Sequence, residues 1–95
     1  MLTSGGTGLG RRDRTPQATA AVLDYEVPGI AEAMRSASLA AVPTAMLSRA
    51  VAGVRDRTLI VNLPGSPKAV RESLGTILPA LPHALALLAD TVADG

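Results

Sequence analysis

The segment Ser4-Gly5-Gly6-Thr7-Gly8-Leu9-Gly10 constrains this chain more than any other stretch. Glycine takes up positive φ without a steric penalty and lets backbone approach a ligand closely. A loop of this kind usually follows a strand and feeds a helix, whose free N–H groups and partial positive charge suit an anion. Only Met1, Leu2 and Thr3 precede it, whereas ordinary strands run to about five or six residues. The chain therefore reads as starting inside an element. After the loop, Arg11-Arg12-Asp13-Arg14 is a charged turn. Thr15-Pro16 then gives a helix start, with Thr15 as N-cap and Pro16 at the first helical position, and the helix is expected from about Gln17 to Leu23.

Further along, Pro28-Gly29 introduces a second helix that runs to about Ala41, with Ile30, Ala33, Met34 and Ala37 as its apolar face. Pro43 ends it. From Leu47 to Leu63 the pattern turns strand-like: Ala50 to Val54 and Thr58 to Leu63 flank a polar Arg55-Asp56-Arg57 turn and predict a hairpin. Leu59-Ile60-Val61 is continuously apolar, as in a strand covered on both faces. Ser66-Pro67 repeats the Thr15-Pro16 device at the start of a third helix striped by Val70, Leu74, Ile77 and Leu78. Leu81, Leu85, Leu88 and Val92 stripe a last helix, with Pro82 in its first turn.

Composition removes several function classes. With 95 residues there is room for one small domain at most, and a chain of this size buries only about 60–65% of its unfolded surface. Tyr25 is the only aromatic residue and the net charge is +1, which argues against a base-stacking platform, a nucleic-acid surface or an anionic membrane. The absence of cysteine excludes disulfides, thiol nucleophiles and thiolate metal sites. No apolar run reaches the roughly 18 residues that span a bilayer, and no secretory signal opens the chain. A soluble cytoplasmic protein is expected.

Two places join a strand to a helix through small residues: Gly5 to Gly10, and Asn62-Leu63-Pro64-Gly65-Ser66-Pro67. Both suit anion binding, but neither matches a standard nucleotide motif. Arg11 stands where the dinucleotide fingerprint needs its third glycine, and Arg11-Arg12 stands where the P-loop needs Lys and Ser/Thr. Phosphate binding and a plain glycine turn both remain open from spacing alone. The single histidine, His83, has no nucleophile-elbow partner and reads as a helix-terminal surface residue. A histidine metal site is excluded by count. Mg²⁺ held by a carboxylate and substrate phosphates is not. Asp13, beside the glycine loop and between arginines, is the best candidate for that, with a turn residue bonding its own backbone as the equal alternative. Glu26 reads as a helix-boundary acid, and Asp24, Glu32, Asp56, Glu72, Asp90 and Asp94 as solvated-face residues.

Taken in order, these segments resemble a known family. Thr3-Ser4-Gly5-Gly6-Thr7-Gly8, Arg12-Asp13 and Thr15-Pro16-Gln17-Ala18-Thr19 are similar to the signature of the molybdopterin-binding Mog/MoaB family. So are Glu26-x-Pro28-Gly29, Pro43-Thr44-Ala45-Met46-Leu47-Ser48-Arg49, Asn62-Leu63-Pro64-Gly65-Ser66-Pro67-Lys68-Ala69-Val70, and Leu78-Pro79-Ala80-Leu81-Pro82-His83-Ala84. Each piece is weak alone; the ordered series is specific and covers nearly the whole chain.

The resemblance implies an α/β fold, a three-layer α/β/α molybdopterin-binding domain that usually forms trimers. It implies a part in molybdenum cofactor biosynthesis: binding molybdopterin and joining it to AMP from Mg-ATP. Gly5, Gly6, Thr7 and Gly8 would hold the pterin's terminal phosphate. Asp13 would be the catalytic acid that helps hold Mg²⁺. Ser38 and Ser48 would surround the pterin, and Pro64, Gly65 and Ser66 would form the second wall. Arg11, Arg12 and Arg14 are nearby cations suited to phosphate charge, or a solvated loop. A non-catalytic molybdopterin-binding or MoaB-like accessory module is the alternative.

Members of the family begin with further strands and helices, including a second acidic residue of the metal site. Residues 1–95 are thus expected to be the C-terminal part of a single such domain: a fragment, a gene start placed too late, or a decayed copy, inactive alone. Loss of neighbouring strands predicts an open apolar edge around Leu59 to Leu63, and with it self-association.

Overall fold

The computed structural model describes residues 1–90. Its central element is the longest strand, Thr58–Leu63 (β4). Residues 59–63 are all buried, as the apolar run Leu59-Ile60-Val61 anticipates; the burial of the polar Asn62 next to it is a finding of the structure. Ala52–Arg55 (β3) pairs with it antiparallel, from Ala52↔Val61 to Arg55↔Thr58. The two-residue turn Asp56-Arg57 between them is the expected hairpin. Asp56 sits there with φ 55, and its N–H donates to Asp24 Oδ2 at 2.6 Å.

On the other edge of β4 lies Leu2–Ser4 (β1), parallel, with Leu2↔Val61, Thr3↔Asn62 and Ser4↔Leu63 in register. The Met1 ammonium donates to Leu59 O at 2.7 Å and Val61 N–H to Met1 O at 3.0 Å. Both edges of β4 are therefore occupied, and the open apolar edge expected at Leu59 to Leu63 is absent. This three-residue strand suffices to cover it because Leu2, Thr3 and Ser4 are all in register and Met1 adds two further bonds. Tyr25–Glu26 (β2) pairs antiparallel with β3, giving the sheet order β1-β4-β3-β2. The unpaired edges are the outer sides of β1 and β2.

Helices cover both faces. Leu59, Val61 and Leu63 point to one side with Ala52 and Val54 and form the core with Met34 and Ile77. Pro28–Leu39 (α2), Pro67–Ile77 (α3) and Leu81–Leu88 (α4) close that side. Strand alternation sends Ile60 and Asn62 to the other side, where Asn62 meets Thr19 of Thr15–Val22 (α1). The result is the three-layer α/β/α arrangement expected.

Several local expectations need correction. Thr15 is inside α1, and Arg14 is the capping residue without a side-chain cap bond; Thr15 is instead tied to the glycine loop, its N–H donating to Gly6 O at 3.2 Å. On α2 the buried face runs through Ala31 and Met34, with Val27 and Ile30 packed beside them, while Ala33 and Ala37 are exposed. Helical spacing cannot choose among so many alanines. On α4, Ala84 packs with Leu81 and Leu88 where the stripe predicts Leu85, and Leu85 and Leu78 are exposed. Val92 lies outside the described residues. A 3₁₀ turn, Pro43–Leu47, occupies the stretch just before the strand-like region. Ser66 caps α3 as expected, its Oγ accepting from Ala69 N–H at 3.2 Å.

Candidate functional site

Because β1 and β4 are parallel neighbours, the loops leaving their C-terminal ends emerge side by side, the place where open α/β sheets bind ligands. Gly5 N–H donates to Leu63 O at 3.0 Å. Gly65 stands against Gly5 so closely that a Cβ on it would lie 3.5 Å from Gly5 Cα. The two small-residue loops thus form one continuous wall.

Beside that wall opens a cleft of about 400 Å³. Thr7 and Gly8 line it from the first loop, Pro64 and Ser66 from the second, Ser38 from α2, and Ser48 from just past the 3₁₀ turn. These are residues far apart in sequence that the resemblance assigns to one pocket, and the structure brings them together. Gly5, Gly6 and Gly65 do not line the cleft; they stand behind it and shape the backbone. Gly5 has φ 85 and Gly6 has φ 72, the left-handed region. Ala31, Met34, Ala45, Leu47 and Ala50 give the cleft an apolar side, and Arg35, Lys68 and Glu72 add charge at its rim and floor. An elongated ligand with a flat apolar body and an anionic end matches this division.

Asp13 does not share that cleft. It lies in a second depression with Leu9, Gly10, Arg11, Arg14, Gln17 and Arg49. Its Oδ2 accepts from Gly10 N–H at 2.9 Å, a local side-chain bond to the backbone of its own turn. Arg12 is exposed and lines neither cavity. Among the described residues, no three of His, Cys, Asp and Glu cluster to hold a metal ion. One carboxylate among arginines does not hold Mg²⁺ by itself; it fits an ion that arrives with phosphates and needs only one or two protein oxygens. His83 stands in the first turn of α4 and Glu26 on β2, and neither lines these two cavities.

Three structural residues of the site were not singled out by sequence reasoning. Asn62 is fully buried; its Oδ1 accepts from Val51 N–H at 3.1 Å, and its Nδ2 donates to Thr3 and Thr19 Oγ1 at 3.0 Å. A lone polar residue inside an apolar strand was the available signal. Arg35 Nη1 reaches Ala50 O at 2.9 Å and Ser48 O at 3.3 Å, pinning the segment after the 3₁₀ turn to α2. The signal there is a charge placed on the buried stripe between Ala31, Met34 and Ser38. Arg49 clamps the glycine loop: its Nε donates to Gly8 O at 2.8 Å, its Nη2 to Asp13 O, and its own N–H to Thr7 O at 2.8 Å.

A family model described as a probable molybdopterin binding domain matches residues 1–83. The molybdopterin adenylyltransferase of Helicobacter pylori is 50% identical over 88 residues, which is 93% of this chain and 50% of that protein. The solved structure of the molybdopterin biosynthesis Mog protein from Mycobacterium ulcerans superposes with TM-score 0.89 at 53% identity, over 92% of this chain and 57% of that one. The molybdopterin biosynthesis enzyme MoaB of Thermus thermophilus superposes with TM-score 0.86 at 65% identity, over 94% of this chain and 56% of that one. The chain spans about half the length of these relatives.

Proposed function

We propose, from the premise that this chain belongs to the probable molybdopterin binding domain family, that its cleft binds molybdopterin and that it serves AMP transfer in molybdenum cofactor biosynthesis. The observation that carries this reading is the convergence of Thr7, Gly8, Ser38, Ser48, Pro64 and Ser66 on one cleft. In it the phosphate of molybdopterin lies against the Gly5–Gly8 loop, where backbone N–H groups favour an anion. The pterin body lies along the apolar side, and the hydroxyls of Ser38, Ser48 and Ser66 bond its polar edge.

Adenylylation joins a phosphate oxygen of molybdopterin to the α-phosphorus of ATP and releases pyrophosphate. Aligning those two groups and stabilising the negative charge between them supplies most of the catalysis. The depression at Asp13 adjoins the glycine loop and presents Arg11, Arg14 and Arg49, which suits a polyphosphate chain. Mg²⁺, when bound, neutralises phosphate charge, and Asp13 would be one of its ligands. A trimeric assembly and a cytoplasmic location belong to the same proposal.

AMP incorporation into molybdopterin from Mg-ATP by the intact protein tests it, since residues 1–95 alone are expected to be inactive. Turnover is expected to fall roughly 10²-fold in Asp13→Ala, the effect of removing one group that stabilises transferring charge. Unchanged turnover removes Asp13 from the machinery. A second reading, molybdopterin binding without AMP transfer, is favoured by one observation: among the described residues, Asp13 is the only carboxylate lining its depression. Molybdopterin binding with no AMP incorporation in the intact wild-type protein would establish it.

A further inference from the structure

The geometry points to Arg49 as the positioning residue of the anion loop: it fixes the backbone so that the N–H groups of Gly8 and Leu9 are presented to a phosphate. This rests on the reading of the glycine loop given above. Thr7 O accepts from Arg49 N–H at 2.8 Å, and Gly8 O from Arg49 Nε at 2.8 Å. In a trans peptide unit the carbonyl and the next N–H point in opposite directions. Holding the carbonyls of Thr7 and Gly8 toward Arg49 therefore turns the N–H groups of Gly8 and Leu9 away from it. A glycine-rich loop left to itself samples many such orientations; the Arg49 main chain fixes the Thr7 carbonyl, and its half-buried guanidinium fixes the Gly8 carbonyl and with it the Leu9 N–H. Its third bond, from Nη2 to Asp13 O, ties the far end of the loop to the same group.

Arg49 lines the depression that holds Asp13, while Thr7 and Gly8 line the cleft between the two loops. One side chain thereby sets the spacing between the two cavities. It does so through main-chain oxygens, so neither its charge alone nor its bulk suffices. Lysine at this position keeps the charge but not the planar fork that reaches two carbonyls at once. The sequence offers a matched control in Arg55, whose Nη1 donates to Val22 O at 3.2 Å on a part of the fold that lines neither cavity.

Residue-resolved amide spectra of the wild-type chain, Arg49→Lys and Arg55→Lys are titrated with inorganic phosphate. In the wild type the Gly8 and Leu9 amides move on titration. In Arg49→Lys the spectrum stays dispersed but phosphate binds about tenfold more weakly, the equivalent of losing roughly one charge-assisted hydrogen bond. Arg55→Lys binds phosphate like the wild type. If Arg49→Lys does not fold, the wild-type Arg49 Nε–H serves instead: it must be protected from solvent exchange in the free protein, and fast exchange overturns the proposal. Phosphate binding in Arg49→Lys within twofold of the wild type, or equal weakening in Arg55→Lys, also overturns it. So does a wild type in which Gly8 and Leu9 do not respond. Phosphate binding at the loop without molybdopterin binding defeats the proposed function and leaves the role of Arg49 standing; molybdopterin binding equal in wild type and Arg49→Lys does the reverse.

Discussion

Asn62→Leu is expected to destabilise the chain by about 3 kcal/mol, the sum of about three side-chain hydrogen bonds at roughly 1 kcal/mol each, with a buried donor left unpaired. Leucine keeps the heavy-atom count and the Cγ branch of asparagine, and its bulkier methyls add overpacking to the loss. The main loss is polar: Val51 N–H, which donates to Asn62 Oδ1 at 3.1 Å, has no replacement partner on a leucine. Small domains are stable by only about 5–15 kcal/mol, and one of 95 residues sits toward the lower end, where buried area is scarce. The substitution therefore removes a large share of the total. Its consequence extends to the site, because Asn62 joins the strand before the glycine loop, through Thr3, to the helix after it, through Thr19. Denaturant titration measures the effect directly. A midpoint and slope equal to wild type would show that the network contributes nothing.

Gly6→Ala is the second large effect, at about 2–3 kcal/mol, of which roughly 1–2 kcal/mol is the cost of placing a side chain in the left-handed region. Gly6 has φ 72, and a Cβ there would stand 2.2 Å from Thr15 Oγ1. Thr15 must rotate or the loop must move, and the loop is bound to Thr15 through Gly6 O. Either adjustment shifts the residues that face the cleft, so ligand binding is expected to fall together with stability. Gly75 provides the contrast. It lies in α3, and a Cβ there meets nothing within 4 Å. Gly75→Ala is expected to raise stability by about 0.5–1 kcal/mol, the usual gain of alanine over glycine in a helix. Melting curves of the two variants should move in opposite directions; a shift of the same sign in both would contradict the backbone argument.

Much of this fold was legible where one residue type leaves a single choice. Ser66-Pro67 could only open a helix, and Ser66 does cap α3. The apolar run Leu59-Ile60-Val61 reads as a strand covered on both faces, and β4 is one. The hairpin followed from two β-prone runs around Arg55-Asp56-Arg57. Legibility failed where side chains were too alike or the deciding contact was remote. Alanines surround α2, so its buried face is set by what Met34 and Ala31 meet in the sheet, not by helical spacing. Leu85 and Ala84 are adjacent, and tertiary packing chose the smaller one. The three-residue strand reads as too short because its partner, β4, is remote in sequence, as the Met1 ammonium bond to Leu59 across 58 positions shows.

The site divides in the same way. The two small-residue loops could each be identified as anion-binding candidates, and the family resemblance joined them. That they touch, Gly5 against Gly65, follows only from the parallel pairing of β1 with β4. Arg49 and Arg35 act on backbone carbonyls of distant segments, and no sequence spacing encodes such a bond. The separation of Asp13 from the cleft between the two loops is likewise a matter of which way the charged turn folds back, fixed by Gly10 N–H and Arg49.

The central claim is that molybdopterin occupies the cleft between the two loops. Titrating molybdopterin into the wild-type chain and following each backbone amide tests it most directly. The amides of Thr7, Gly8, Ser38, Ser48 and Ser66 should shift together with one saturation curve, while those of Tyr25 and Glu26 on the distant edge strand stay in place. Absence of binding, or shifts gathered away from the cleft, would contradict the account.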